Sequence, residues 1–403
     1  MLQTAPPLWS QPQMSTSCHI CLVTETYPPE VNGVAMTLTH LVRGLRARGY
    51  TVSVVRPRQR AVDGLGPPDD PRETLVYSVP IPGYRGVHVG VPAPGVLQRC
   101  WTEQRPDVVY VATQGPLGWS AVRTARRLGI PVFSGFHTNF HTYARHYRLG
   151  WLQAWIFACL RRFHGRTRGT LVPNTALRAQ LEALGVPNVR LMGRGVDSQL
   201  FTPQRRCAAL RRTWGVAEHD LVVLSVGRVA AEKNLATVVA AYHAMQRLSP
   251  GLRCVVVGDG PLRRTLQNAH PEVHFSGVQT AEQLARHYAS ADIFLFPSET
   301  ETFGNVTLEA MASGLAVVAY DYAAAQMHIT PGASGLLVPY GNTQAFIEAA
   351  VSLVRAPQRL PRLRQQARVH ATTQDWQHIV HGFATYLLGA RHGTPVTADL
   401  ALT

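Results

Sequence analysis

Long apolar runs and an export signal are missing from this sequence. No stretch of about 18 or more consecutive apolar residues occurs, so no helix is expected to span a membrane. Residues 1–17 lack the basic and then apolar layout of a signal peptide, and we expect them to form a disordered leader. Together these absences predict a cytoplasmic protein.

Cysteine is scarce and follows no ligand pattern. Cys18 and Cys21 form a C-x2-C pair, but they lie in a predicted strand, where an offset of three residues points the two sulfurs to opposite faces. The other cysteines are scattered, mostly within apolar segments: Cys100, Cys159, Cys207 and Cys254. We therefore expect reduced thiols and no metal site built on cysteine.

Lysine is nearly absent, because Lys233 is the only one among 39 basic side chains. Acidic residues are absent between Val108 and Leu181, and the first 203 residues carry +12 of the total net charge of +15. A basic face suits nucleic acid, an anionic membrane or an anionic substrate. An arginine-rich composition would explain the number of arginines, but it would not explain the missing acids.

The sequence does contain an alternation of short apolar segments with helical patterns. A chain of 403 residues suits two domains, each with its own apolar centre. Buried strands are expected in both halves: His19–Thr24, Thr51–Val55, Val108–Val111, Pro131–Ser134, 221–226 and 254–257. Helical patterns between them indicate parallel sheets in an α/β fold.

A segment beginning at Ser298 reads SETETFGNVTLEAMASG and follows a predicted strand closed by Pro297. A helix is expected from Asn305, with Glu301 just ahead of it and Glu309 on its second turn.

The unpaired amides at this helix start, those of Gly304, Asn305 and Val306, suit a phosphate. Carboxylates beside them suit sugar or ribose hydroxyls, which donate hydrogen bonds. The segment therefore predicts a site for a nucleotide sugar.

The pair Glu301-x7-Glu309 within ETFGNVTLEAMASG resembles the E-x7-E signature of the retaining glycosyltransferases of family GT4. The segment from Arg228 to Lys233 resembles the family loop whose arginine and lysine bind the donor diphosphate. Tyr27–Gly33 resembles the PP-x-x-GG loop, in which Gly33 lets the backbone approach the donor phosphate. Asn32 stands where many members have glycine.

The resemblance runs from about His19 to Leu388 and implies the GT-B fold, two doubly wound Rossmann-like domains that face each other across a cleft. We expect an acceptor-side domain over 18–203 and a nucleotide-sugar domain over 204–375. A last helix, about 376–388, is expected to cross back to the first domain, ahead of a tail over 389–403. Gly258 to Pro261 lacks the third glycine of a dinucleotide fingerprint, and Asp259 is expected to cap the following helix.

The resemblance implies retaining transfer without a cofactor or an essential metal. Arg228, Lys233 and the helix start at Gly304 would take the charge of the leaving diphosphate, while Glu301 would orient the donor sugar and Glu309 would hold the ribose. His137 would contact the sugar near the reacting carbon. The remaining expected donor contacts are Phe303, Asn305 and, near the base, Val278.

The motif FHTNF around His137 resembles the loop of GT4 enzymes that act on phosphatidylinositol or diacylglycerol acceptors. The stretch from Tyr143 to Gly169 combines aromatic residues with arginines, which suits a membrane interface; packing on the domain core is the alternative. For His141 we expect a structural role.

The sequence therefore predicts a transferase that moves a hexose from GDP-mannose or a UDP-hexose to a membrane lipid. We expect it at the inner face of the cell membrane, on an anionic surface, and without a nucleic-acid partner. Three alternatives are a polysaccharide glycosyltransferase, a glycoside hydrolase using Glu301 and Glu309, and a non-catalytic binder of anionic membranes or nucleic acid.

Overall fold

The computed structural model describes residues 18–30, 32–59, 63–64, 66, 68–80, 88–137, 150–301 and 303–389, with the backbone alone for 150–153. Within these residues the strands form two parallel sheets and one short antiparallel pair. Helices cover both faces of each sheet, which is the arrangement of a doubly wound α/β fold.

The first sheet contains seven of the described strands in the order β3-β2-β1-β6-β7-β8-β9. Its strands are β1 (His19–Val23), β2 (Thr51–Pro57), β3 (Glu73–Val76), β6 (Val108–Val111), β7 (Val132–Gly135), β8 (Thr170–Val172) and β9 (Val189–Leu191). The antiparallel pair is β4 (Ser78–Pro80) and β5 (His88–Gly90). The accompanying helices are α1 (Gly33–Ala47), α2 (Pro94–Glu103), α3 (Pro116–Arg127), α4 (Gly150–His164) and α5 (Thr175–Ala183).

The second sheet contains six described strands in the order β12-β11-β10-β13-β14-β15. These are β10 (Val222–Val226), β11 (Arg253–Val257), β12 (His274–Gly277), β13 (Ile293–Phe296), β14 (Ala316–Tyr320) and β15 (Leu336–Val338). Helices α6 (Ala208–Thr213), α7 (Leu235–Gln246), α8 (Arg263–Ala269), α9 (Ala281–Ser290), α10 (Asn305–Ala312), α11 (Ala323–His328), α12 (Thr343–Arg355) and α13 (Leu360–Thr373) accompany it.

The central strand β1 shows why apolar runs become strands buried on both faces. Ile20 and Leu22 lie in the core beneath α1, whereas Cys21 and Val23 lie in the core beneath α2 and α3. Alternate side chains of a strand point to opposite faces, so a strand covered on both sides must be apolar throughout. All six cysteines are free, and the pair Cys18 and Cys21 is no exception.

A last helix, α14 (Trp376–Gly389), packs on the first sheet. The Phe383 ring meets Tyr110 of β6 edge to face at 4.9 Å between centroids, and Trp376 stacks on His40 of α1 at 4.6 Å. Just before this helix, Asp375 forms a parallel bridge with Val196, which lies in the segment that connects the first sheet to the second. The last helix therefore joins the two halves.

The described helices include no candidate membrane span. None of them combines the length and the apolar character that crossing a bilayer requires. Residues 138–149, which include His141 and the first part of the aromatic and basic stretch, lie outside the described residues.

Candidate active site

Helix α10 begins where the loop after β13 turns back on itself at Gly304. The backbone φ of Gly304 is +95°, in the left-handed region that favours glycine, and no described side chain caps the helix start. The helix dipole and the amides at such a start attract an anion. Asn305 is the first residue of α10, as the sequence predicts.

Glu301 lies in the same loop and forms an ion pair with Lys233, 68 residues earlier in the chain. Its carboxylate also accepts a hydrogen bond of 2.8 Å from the Ser298 hydroxyl. Only 14% of the Glu301 side chain and 19% of the Lys233 side chain are exposed. The carboxylate expected to hold the sugar is therefore paired with the ammonium expected to hold the phosphate.

Lys233 is placed by a 3-10 turn, Ala231–Lys233, that ends at Asn234 in the left-handed conformation, with φ of +50°. The ammonium lies 5.6 Å from the centroid of the Phe296 ring at the end of β13. Because β10 and β13 are neighbours in the sheet, the loops that follow them meet at its carboxyl edge. This adjacency brings Lys233 to Glu301.

Arg228 occupies the same loop as Lys233 but lies at the surface. Its side chain is 68% exposed and reaches Glu232 at 3.7 Å, a surface ion pair of the kind that contributes little to stability. Glycines pack closely behind this loop: a Cβ on Gly258 would lie 1.9 Å from the carbonyl oxygen of Gly227. The loop is therefore supported from behind while Arg228 stays accessible to a ligand.

Glu309 faces a different neighbour from Glu301. The hydroxyl of the buried Tyr288, on α9, donates a hydrogen bond of 3.0 Å to Oε2 of Glu309. Burial raises the pKa of Glu309 to about 7, although the Tyr288 hydrogen bond acts in the opposite direction. No described cation pairs with this carboxylate, so its charge varies with pH near neutrality.

His137 follows β7 in the first half of the molecule and is 5% exposed. Its Nδ1 lies 3.1 Å from Nη2 of Arg194, and its Nε2 lies 3.0 Å from the Tyr110 hydroxyl oxygen. A guanidinium only donates, so Nδ1 accepts, and the ring proton belongs on Nε2. Burial, then the charges of Arg194 and His164, hold the pKa of His137 well below its usual value.

Both ring nitrogens of His137 are thus engaged by protein groups. A hydrogen bond from the His137 side chain to a sugar would require the ring to exchange one of these partners. The arrangement shown here fixes the histidine as a neutral Nε2–H tautomer.

Arg194 is a residue that sequence reasoning missed. It is 3% exposed, its Nη1 has no hydrogen-bond partner among the described residues, and no described carboxylate pairs with it. Burial lowers its pKa to about 10. The available signal in the sequence is a basic residue between two glycines in an otherwise apolar stretch, LMGRGV, immediately before Asp197.

Gly33 and Asn32 begin helix α1. The side-chain oxygen of Asn32 accepts hydrogen bonds from the amides of Val34 and Ala35, at 3.1 and 2.9 Å, so Asn32 is the N-cap. A Cβ added to Gly33 would meet no atom of the described residues within 4 Å. Asn32, at a position where many family members have glycine, therefore serves as the helix cap. The described residues leave open space beside Gly33.

The remaining predicted donor contacts differ in exposure. Phe303 is 4% exposed and packs edge to face on His328, so its side chain belongs to the core. Asn305 is half-buried at the start of α10, and Val278, just after β12, is 76% exposed. Val278 is thus open to a ligand, whereas the Phe303 side chain is not.

The predicted residues form two groups. Lys233, Glu301 and Gly304 meet at the carboxyl edge of the second sheet, close to Arg228 and with Glu309 further along α10. His137 and Gly33 belong to the carboxyl edge of the first sheet, and no hydrogen bond or ion pair within the described ranges joins either of them to the first group. The structure therefore brings together Lys233, Glu301 and Gly304, while no contact among the described residues brings His137 or Gly33 to them.

Known proteins resemble this chain in sequence and in fold. A family model described as Glycosyltransferase Family 4 matches residues 31–200, and one described as Glycosyl transferases group 1 matches residues 220–356. A GDP-mannose-dependent alpha-mannosyltransferase of Mycobacterium tuberculosis is 36% identical over 84% of this chain and 89% of its own. A GDP-mannose-dependent alpha-(1-6)-phosphatidylinositol monomannoside mannosyltransferase of the same organism is 26% identical over 92% of this chain and 98% of its own.

Among solved structures, the sucrose-phosphate synthase of Thermosynechococcus elongatus superposes with a TM-score of 0.73 at 19% identity. The match covers 94% of this chain and all of that one. At this identity the likeness concerns the fold, and it confirms the predicted arrangement of two doubly wound halves.

Proposed function

The chain belongs to glycosyltransferase family 4, and we propose that it transfers mannose from GDP-mannose to the head group of a membrane lipid. The observation that carries the proposal is the ion pair between Lys233 and Glu301 beside the uncapped start of α10. A cation, a carboxylate and a helix start at one point match a donor made of diphosphate and sugar.

Binding of the donor would proceed by exchange of partners. The diphosphate draws the Lys233 ammonium away from Glu301, since a phosphate offers the lysine several anionic oxygens. The released Glu301 carboxylate then accepts hydrogen bonds from the sugar hydroxyls. The donor therefore satisfies both charges that the free protein pairs internally.

We propose that the transfer retains the anomeric configuration and needs no essential metal. Lys233, Arg228 and the start of α10 would balance the negative charge that develops on the leaving diphosphate. Such fixed positive charges do the work that a divalent cation does in other sugar transferases. Glu309, with its Tyr288 partner, would accept the ribose hydroxyls.

The choice of donor rests on the relatives. Both mannosyltransferases named above carry GDP-mannose in their names. Val278 offers only an exposed apolar side chain at the place expected for the base, so recognition of the base would depend on the backbone there.

The choice of acceptor rests on a relative that acts on a phosphatidylinositol mannoside and on the surface of the first half. On α4, Trp155 is 62% exposed and the arginines Arg161 and Arg162 are exposed beside it. Leu160 and Phe163 of the same helix pack on the core. One side of α4 therefore anchors the helix, and the other presents an aromatic residue with basic neighbours, which suits an anionic membrane interface.

The neighbouring arginines are concentrated on this surface. Burial, followed by the charges of Arg162, Arg123 and Arg126, lowers the pKa of Arg166. The guanidiniums of Arg123 and Arg166 each lie within 6 Å of the Trp119 ring centroid, at 5.8 and 5.9 Å. Crowded cations without acids attract an anionic surface.

The donor proposal is tested by supplying GDP-mannose and UDP-glucose in turn with three acceptors: phosphatidylinositol vesicles, diacylglycerol vesicles and a soluble mannose oligosaccharide. We expect labelled lipid and released GDP from GDP-mannose. Product from UDP-glucose alone would overturn the donor, and transfer only to a soluble glycan would overturn the acceptor.

The membrane proposal is tested with the fourfold change of Arg161, Arg162, Arg166 and Arg168 to Gln. Binding to anionic vesicles should fall by about tenfold or more and should also fall with added salt. A matched control removes four exposed arginines of the second half, Arg212, Arg355, Arg359 and Arg362. Equal losses in the two variants would show that net charge, not this surface, drives binding.

A further inference from the structure

Two histidines and one glutamate converge at the surface of the second half, away from the donor site. Nε2 of His243 lies 2.7 Å from Oε1 of Glu272, and Nδ1 of His270 lies 3.6 Å from the same oxygen. One ligand atom from each of the three residues lies within 4.8 Å of the others. We propose that His243, His270 and Glu272 form a binding site for a zinc-class divalent ion.

The fold fixes these residues on two separate pieces of chain. His243 lies in the last turn of α7, His270 is the C-cap of α8, and Glu272 lies two residues before β12. Helix α8 is followed directly by strand β12. Helix α7, which follows β10, ends at the edge of the sheet where β12 begins. A bound ion would therefore cross-link α7 to the connection between α8 and β12.

The spacing fits an ion without a large rearrangement. Zinc binds imidazole nitrogen and carboxylate oxygen at about 2.0–2.2 Å, so two ligands of a tetrahedral site lie about 3.3 Å apart. The His243 and Glu272 atoms, now joined by a hydrogen bond, would separate by about half an ångström. The fourth position would face solvent, since all three side chains are between 29% and 39% exposed.

The chemistry of the three groups selects the ion. Imidazole suits zinc, copper and nickel, whereas calcium and magnesium prefer sites made of oxygen alone. The site thus offers the carboxylate oxygen of Glu272 and the imidazole nitrogens of His243 and His270.

This site is independent of the proposed transfer reaction. Lys233 and Glu301 lie at the carboxyl edge of the second sheet, whereas His243, His270 and Glu272 lie at the edge where β12 begins. Metal bound here would stabilise the edge of the sheet without touching the donor. A chelator is therefore expected to change thermal stability and to leave transfer unchanged.

The test is calorimetric titration of Zn²⁺ into the full chain after chelator treatment, at pH 7.5. We expect one equivalent to bind in the parent, and affinity to fall by about tenfold or more in His243→Gln and in Glu272→Gln. His219→Gln, which removes an exposed histidine elsewhere, is the matched control and should bind as the parent does. Circular dichroism checks that each variant is folded.

Two further readings sharpen the result. Binding should weaken at pH 5.5, because protonated imidazole cannot ligate a metal. Zinc should also raise the melting temperature of the parent and the control, and raise it less in the two ligand variants. Absence of a one-equivalent site in the parent, or equal affinity in the ligand variants, would overturn the proposal.

Discussion

The candidate site residues of the two halves of the molecule differ in how their buried charges are paired. In the second half, Lys233 meets Glu301, and the two opposite charges compensate each other. In the first half, Arg194 is buried against the neutral His137 with no described carboxylate beside it. The Lys233 and Glu301 charges are therefore balanced before a substrate arrives, whereas Arg194 holds a positive charge that no described acid compensates.

The largest effect is expected from breaking the balanced pair on its acidic side. Glu301→Ala removes the carboxylate proposed to hold the sugar. The changed residue lies in a loop and does not pack in the core, so the fold should be kept. If two charge-assisted hydrogen bonds of about 1.5–3 kcal/mol each are lost, transfer should fall by about 10²-fold or more.

The measurement is kcat/KM with GDP-mannose, accompanied by a melting curve. Glu299→Ala, which removes another acid of the same loop, is the control. Wild-type kcat/KM in the folded Glu301 variant would show that the pair has no part in the reaction.

A smaller effect is expected from breaking the pair on its basic side. Lys233→Ala removes one charge-assisted contact to phosphate, worth about 1.5–3 kcal/mol, so the donor KM should rise by about 10- to 100-fold. The loss should appear in competition by GDP as well, because the contact is to the diphosphate. Unchanged GDP affinity in the folded variant would assign Lys233 to a purely internal ion pair.

The sequence carries enough local information to predict the second half of this comparison. Glycine and proline limit the segment around α10, so its start at Asn305 follows from the residues themselves. Lys233 and Glu301 each follow a predicted strand, and loops after neighbouring parallel strands meet at one edge. The order of the strands in the sheet depends on long-range packing, so it could not be predicted from these local patterns.

The first half was less predictable, because the local signal at Arg194, an arginine between two glycines in an apolar stretch, does not show that the residue is buried. Its importance comes from burial, which depends on how β7, β9 and the link to the second sheet pack together. Asp259 illustrates the same limit on a smaller scale. It was expected to cap the next helix, but α8 begins later, at Arg263, and Asp259 instead accepts hydrogen bonds from the Gly260 amide and from Arg263.

Glu309 sharpens the comparison, because it is an acid of the second half without a paired cation. Its pKa of about 7 means that the carboxylate is mostly protonated at pH 6 and mostly ionised at pH 8. Ribose hydroxyls bind the ionised form better, so donor KM should fall by up to about tenfold as pH rises through 7.

The pH effect can be assigned with two variants. Glu309→Gln should abolish the dependence, since glutamine does not titrate. Glu25→Gln should keep it, although burial also raises the pKa of Glu25 to about 7, because the amides of Gly90 and Leu117 within the first half already bind both of its carboxylate oxygens. A dependence that persists in Glu309→Gln contradicts the assignment.

The smallest effect is expected on stability, from replacing the uncompensated charge of the first half. Arg194→Met keeps the length of the side chain and removes a buried cation without an acidic partner, so the free energy of unfolding should rise by about 1 kcal/mol. The pKa of His137 should rise as well, because the Arg194 charge helps to lower it, though burial keeps it below its usual value.

Arg211 provides the contrast that decides this prediction. It is also buried, at 4% exposed, but it reaches Asp292 at 3.4 Å and donates to several carbonyl oxygens. Arg211→Met should therefore destabilise the protein by about 1–3 kcal/mol, because the carbonyl oxygens of Ser290 and Asp220 lose their buried donor, although Asp292 keeps its pairs with Arg206 and Arg364. Urea unfolding of both variants gives the comparison. If Arg194→Met destabilises as much as Arg211→Met, then the hydrogen bond to His137 stabilises the fold more than the unpaired charge costs, and the contrast between the two halves of the site fails.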